Sequence, residues 1–203
     1  MKIICIGQNY ADHIAEMNSM VPKEPTVFSK PDTALLLDNR PFYLPEYSDN
    51  VQYECELVIR ITKNGKYINK NLASNYYSEV GLGIDFTARD LQKKFKESGK
   101  PWLLAKGFDN SAPVSKFIPI KELKNPENIE FSLLLNNKKV QHGFSKDMIF
   151  SFEEILAYIS KFITLRMGDL IFTGTPSGVG KVNRGDVIKG YIEDNLMLDF
   201  EIK

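Results

Sequence analysis

Between Val51 and Ile61 every second residue is apolar: Val51, Tyr53, Cys55, Leu57, Ile59 and Ile61. A period of two belongs to a strand with one buried face and is incompatible with a helix. The middle of the chain is therefore committed to sheet, with Gln52, Glu54, Glu56, Val58 and Arg60 on the opposite face of a half-buried strand. Other segments extend the pattern. Met1 to Gly7, Val80 to Asp85 and Trp102 to Gly107 have the length and composition of short strands, and Phe131 to Leu135 with Lys139 to Gln141 predict a hairpin around Asn136-Asn137.

Helices are few. Asn9 to Met17 has a short helical pattern, and Thr87 followed by Asp90 resembles a capping box ahead of Leu91. One longer helix is predicted from Phe152 to Phe162, capped by Ser151 and Glu154, with Phe152, Ile155, Leu156 and Ile159 on one face. Pro22, Pro25 and Pro31 interrupt the stretch after the first strand, so residues 1–45 are expected to form that strand plus a loop-rich, lid-like segment. The 203 residues suit one domain. The fold class is mixed α+β and strand-dominated, a mixed-β roll or sandwich rather than a doubly wound sheet.

Charge narrows the function classes. Lysine plus arginine equals aspartate plus glutamate, 26 against 26, so no net field draws the chain to nucleic acid or to an anionic membrane. No stretch approaches the roughly 20 apolar residues of a membrane span, and the opening apolar run is shorter than that of a secretory signal. Cys5 and Cys55 are the only cysteines, too few for a disulfide framework, and a reducing cytoplasm is the expected location.

The sharpest chemical signal is Glu54-x-Glu56. Two residues apart on a strand, the side chains leave the same face with Cα atoms roughly 7 Å apart. Alone, such a pair is compatible with a solvated strand face. Asp85 adds a third carboxylate at the end of the apolar run Val80-Gly81-Leu82-Gly83-Ile84, whose glycines permit close approach of a backbone or ligand. Two carboxylates about 4 Å apart repel by about 4 kcal/mol at an effective dielectric of 20, and a divalent cation removes that repulsion. Oxygen donors select a hard ion, magnesium or manganese with calcium as an option. Zinc is disfavoured, because His13 and His142 are the only histidines and neither joins the cysteines at a zinc-site spacing.

Three further features have two readings each. Lys106 in its apolar setting either snorkels to the surface or holds negative charge on a substrate oxo group. His13 and Glu16 are spaced for one helical face, as a surface ion pair or as an imidazole oriented by a carboxylate. Gly174-Thr175-Pro176-Ser177-Gly178-Val179-Gly180 is a turn rich in amides and hydroxyls, suited to a carboxylate or phosphate. It is not a Walker loop, since Val179 and Val182 break that register.

Taken together, the segments resemble the fumarylacetoacetate hydrolase family, in its short acylpyruvase and oxaloacetate decarboxylase branch. The likeness runs through Gly7-x-Asn9-Tyr10 with His13 and Glu16, Lys30-Pro31, Glu54-x-Glu56, Gly83-Ile84-Asp85 with Arg89 and Gln92, Lys106-Gly107-Phe108-Asp109, Asp147-Met148-Ile149-Phe150, and Gly168-Asp169 leading into Thr173 to Gly180. The resemblance implies a mixed β-sandwich roll, a homodimer, and Mg2+ or Mn2+ on Glu54, Glu56 and Asp85. It also implies that His13, Glu16 and Lys106 are catalytic, and that Lys30, Arg89, Gln92 and Thr175 contact substrate. The implied reaction is C–C bond hydrolysis or decarboxylation of a small 2-oxo acid, of acylpyruvate or oxaloacetate type, through a metal-stabilised enolate. Isomerisation, tautomerisation or hydration of a 2-hydroxy-dienoate is the alternative, and a metal-free binding or structural protein is the non-enzymatic one. Gln8 departs from the arginine common in close relatives.

Overall fold

The computed structural model describes residues 1–17 and 20–203; Asn18 and Ser19, in the expected lid-like segment, lie outside the described residues. The alternating run folds as strand but is broken. Val51–Tyr53 and Cys55–Ile61 belong to different sheets, with Glu54 at the joint. Nor is the strand half-buried. Glu54, Glu56 and Val58 on its second face are buried as well, because Cys55–Ile61 is an interior strand between Leu170–Phe172 and Tyr77–Ile84. Leu57 and Ile59 pack into the main core, whereas Val58 meets Ile3, Cys5, Val114 and Phe172 on the other face. A strand covered on both sides has no solvent face for its polar residues to mark.

The larger sheet has six strands, in the order Thr26–Lys30, Ile3–Gly7, Leu170–Phe172, Cys55–Ile61, Tyr77–Ile84, Ile118–Pro119. Ile3–Gly7 pairs in parallel with Leu170–Phe172, joining segments far apart in the chain. A four-stranded antiparallel sheet packs against it, in the order Lys138–Phe144, Glu130–Leu135, Val187–Ile192, Asn195–Glu201. Phe131, Leu133, Ile188 and Leu198 from this sheet share one apolar cluster with Leu57, Ile59 and Leu82 from the other. Two sheets with apolar inner faces bury those faces against each other. At the contact, a Cβ on Gly190 would lie 2.5 Å from Leu82 Cδ2, so only glycine lets the sheets approach this closely. The architecture is the expected mixed α+β roll.

Local expectations divide. The hairpin forms, with Asn136 and Asn137 both at positive φ, and the helix spans Phe152–Phe162 with its capping box in place. The short helix is Ala11–Glu16. By contrast, Trp102 to Gly107 is not a strand: Leu103–Lys106 is one helical turn. Leu103 and Leu104 are exposed while Ala105 and Lys106 are buried, a two-out, two-in pattern that a strand cannot produce. The Thr87 capping box is absent too. Thr87 lies in a strand and donates its hydroxyl to Asp85 O, while Asp90 accepts from Ser48 Oγ and Asp49 N. The N-terminal segment is also less loop-like than expected, since Pro25 and Pro31 bound an edge strand, Thr26–Lys30, instead of abolishing it. Finally, what closes on Gly83 is the Phe172 ring of the core, not a ligand.

Candidate active site

The break at Glu54 builds the site. Asp85 N donates to Glu54 O at 2.8 Å, and Cys55 N donates to the side-chain oxygen of Gln141 at 2.9 Å, so the chain turns between its two strands without losing these backbone bonds. Cys55 lies opposite Ile84 in register, which brings Asp85, just past that strand, beside Glu54 and Glu56. One oxygen from each carboxylate lies within 4.8 Å of the others, and all three residues are buried.

Lysines and an arginine answer two of these carboxylates. Lys106 Nζ is 2.6 Å from both Glu54 Oε2 and Asp85 Oδ2, and Arg89 pairs with Glu54. Burial pushes the Glu54 carboxyl up, but Lys106, Arg89 and His13 outweigh it and hold it well below the usual carboxylate range. The same two carboxylates raise the Lys106 ammonium against its own burial. Glu56 differs. It has no basic partner among the described residues and accepts from Gly174 N at 2.7 Å, so burial, then Asp85 and Glu54, push its carboxyl well up. Lys30 Nζ forms a fully buried ion pair with Asp85 Oδ1 at 2.8 Å, without hydrogen-bond alignment. A buried carboxylate without a basic partner among the described residues, Glu56, within an all-oxygen donor set fits a hard divalent ion.

His13, which lines one cleft with Glu54 and Glu56, pairs with Glu16, with Nδ1 and Oε2 3.2 Å apart. Glu16 also accepts from Gly178 N at 3.2 Å, which pins the pair to the Gly174–Gly180 turn. That turn does hold carboxylates, namely the chain's own Glu56 and Glu16. The cleft is lined by Gln8, His13, Met17, Phe28, Glu54, Glu56, Arg89, Gln92, Lys96, Trp102, Lys106 and Thr175, among others.

A model for "Fumarylacetoacetate (FAA) hydrolase C-terminal" matches residues 2–199. The chain belongs to the fumarylacetoacetate hydrolase family. It is 42% identical over 201 residues to the mitochondrial oxaloacetate tautomerase FAHD1 of Mus musculus, covering 99% of this chain and 91% of that one. It is 42% identical over 186 residues to the oxaloacetate tautomerase YcgM of Escherichia coli, covering 91% and 85%. The crystal structure of fumarylpyruvate hydrolase from Pseudomonas aeruginosa, in complex with Mn2+ and pyruvate, superimposes with a TM-score of 0.94 at 35% identity, covering 100% of this chain and 89% of that one.

Family likeness does not place every residue where it was expected. Lys30, expected to contact substrate, does not line the cleft: its ammonium is fully buried behind Asp85 and donates to Phe86 O, Ser111 O, Ser111 Oγ and Lys106 O. Arg89 lines the cleft, yet Gln52, Gln92 and Glu54 take its Nε, Nη1 and Nη2. Its role in the structure is to hold Glu54 and the Gln92 carbonyl, and among the described residues the Gln92 amide protons have no partner. Thr175 lines the cleft, but its hydroxyl donates to Cys55 O at 2.9 Å and accepts from Gln141.

Gln141 is the residue that the sequence did not single out. Its Oε1 accepts from Cys55 N, and its Nε2 donates to Thr175 Oγ1 at 2.8 Å and Pro176 O at 2.9 Å. One amide thus ties the backbone between Glu54 and Glu56 to the Thr175 turn, reaching across from the second sheet. An inward glutamine flanked by Val140 and His142 carries no local signal of that task.

Proposed function

We propose that this chain is a divalent-metal-dependent enzyme acting on a small 2-oxo acid of the oxaloacetate or acylpyruvate type, with Mg2+ or Mn2+ on Glu54, Glu56 and Asp85. The observation that carries the reading is a cluster of three convergent buried carboxylates, two of which, Glu54 and Glu56, line one cleft with His13, itself held by Glu16. A bound divalent ion supplies Lewis-acid polarisation of substrate oxygens.

The chain's own groups do the rest. The Lys106 ammonium faces negative charge that develops on the 2-oxo oxygen as an enolate forms, and the free amide protons of Gln92 orient the substrate. Glu16 and Gly178 fix the imidazole through Nδ1, which leaves Nε2 of His13 to take a proton. With an acylpyruvate, that proton comes from water whose oxygen attacks the distal carbonyl; the C–C bond breaks and its electrons pass to pyruvate enolate. With oxaloacetate, loss of carbon dioxide gives the same enolate. The second reading is tautomerisation of oxaloacetate, a proton exchange between C3 and the 2-oxo oxygen. The names of the mouse and Escherichia coli relatives favour it.

The test is turnover of oxaloacetate, acetylpyruvate, fumarylpyruvate and a hydroxymuconate-type diacid, each with Mg2+ and with chelator. We expect metal-dependent turnover of oxaloacetate or an acylpyruvate. Equal rates with chelator, or no turnover of any member, would overturn the reading. We further propose a homodimer in a reducing compartment, consistent with two buried free cysteines; sedimentation should give about twice 23.2 kDa.

A further inference from the structure

Three cations line the cleft wall, Arg89, Lys96 and Lys106. Two are already answered, since Lys106 lies between Glu54 and Asp85 and Arg89 has its donors on Gln52, Gln92 and Glu54. Lys96 is not. Among the described residues it makes no ion pair, and its ammonium stands 5.0 Å from the centre of the Trp102 ring, another residue of the cleft wall. Arg89, Gln92 and Lys96 follow one another at three- and four-residue intervals on the Arg89–Glu97 helix, so they share one face, the face that lines the cleft. The aromatic ring steadies the lysine stem and leaves its three donors open.

We infer that Lys96 determines specificity by receiving a second carboxylate, so that the preferred substrate is a 2-oxo acid with a distal carboxylate rather than a 2-oxo mono-acid. This deepens the 2-oxo acid reading and rests on it. The first carboxylate and the 2-oxo group belong at the Glu54, Glu56 and Asp85 wall, where Lys106 and Gln92 also face. A distal carboxylate, extending along the helix face, meets Lys96 as the next positive group. Desolvation and the neighbouring Arg89 and Lys106 charges press the Lys96 ammonium downward from its ordinary range, against the opposing pull of Glu54.

The test compares Lys96→Met, Lys96→Arg and the off-site control Lys94→Met in kcat/KM for oxaloacetate and fumarylpyruvate against acetylpyruvate, which ends in a methyl group. Loss of one charge-assisted contact is worth about tenfold or more. The ratio of diacid to mono-acid kcat/KM should fall tenfold or more in Lys96→Met, mainly through KM. It should recover to within threefold in Lys96→Arg and hold in Lys94→Met. A parallel calorimetric titration of the Mn2+-loaded protein with 2-oxoglutarate and with oxalate reads affinity without turnover; 2-oxoglutarate, and not oxalate, should weaken tenfold in Lys96→Met. An equal fall for all three substrates, or an unchanged ratio, overturns the assignment while leaving the 2-oxo acid reading intact. If wild-type protein turns over none of them, that wider reading fails, and the titration still decides whether Lys96 holds a second carboxylate.

Discussion

Replacing His13 by alanine removes the imidazole that the cleft holds. The other histidine, His142, is exposed and paired with Glu130 on the second sheet. If His13 activates water, acylpyruvate cleavage by His13→Ala should fall by about 10²–10⁴, while tautomerisation, which needs no water attack, should fall less. Stopped-flow assays of both reactions on one preparation check this, and unchanged cleavage would remove His13 from the mechanism. Gln141→Ala leaves Cys55 N, Thr175 Oγ1 and Pro176 O without their partner. Urea unfolding should show a loss of roughly 3 kcal/mol, and loosening of the Glu54–Glu56 joint should weaken Mn2+ binding beyond what a distant variant of equal stability loses.

Acid sensitivity also has a residue-scale source. Asp169 is buried and accepts from Lys2 N and Arg166 N, with Lys2 Nζ at 2.6 Å. Burial pushes its carboxyl up, but these donors outweigh burial and lower it. Because the folded value lies below the unfolded one, its contribution is complete above about pH 4 and disappears as pH falls through the folded value. Asp169→Asn should therefore lower stability at neutral pH and flatten the acid limb of the stability profile. An unchanged slope below about pH 4 would contradict this.

At the scale of elements, the Phe152–Phe162 helix was legible because its cap is local: Ser151 Oγ accepts from Glu154 N, and Glu154 accepts from Ser151 N. Ser151→Ala should cost about 1 kcal/mol and lower Tm by about 2–4 °C without altering turnover, since the helix stands apart from the cleft. The Asn136-Asn137 hairpin was legible for the same reason. The helical turn at Leu103–Lys106 was not, because four residues are too few to display a period. Gly174 is the element-scale hinge of the site. Its φ is +100°, and a Cβ there would lie 2.6 Å from Asn9 Cβ, so Gly174→Ala should displace the N–H that holds Glu56. Mn2+ affinity measured by calorimetry should drop, and an unchanged affinity would mean that this amide does not position the carboxylate.

For the whole molecule, the proposed ion on the carboxylate cluster would make stability metal-dependent. An ion bound at 100 times its Kd adds about 2.7 kcal/mol, which for a chain of this size raises Tm by roughly 5–10 °C. Differential scanning with Mg2+ or Mn2+, then with chelator, measures it; a Tm indifferent to both would remove the metal from the site.

The residue types and spacings of the chain were enough to settle the strand-rich class, the hairpin, the long helix and the same-face pair Glu54 and Glu56, because each of these arises from local periodicity, local capping or a motif short enough to see; that Asp85 joins them was implied by family resemblance and is produced by strand register. Other features depended on segments remote in sequence arriving at one place. Lys30 is turned from cleft to interior because Ser111 and Asp85 surround it. Gln141 reaches Cys55 and Thr175 only because two sheets are stacked. Lys96 makes no ion pair among the described residues, while Glu54 pairs with Lys106 and Arg89. Pairing among buried charges is set by three-dimensional proximity in a low dielectric, and no linear pattern of residues encodes which cation reaches which carboxylate first.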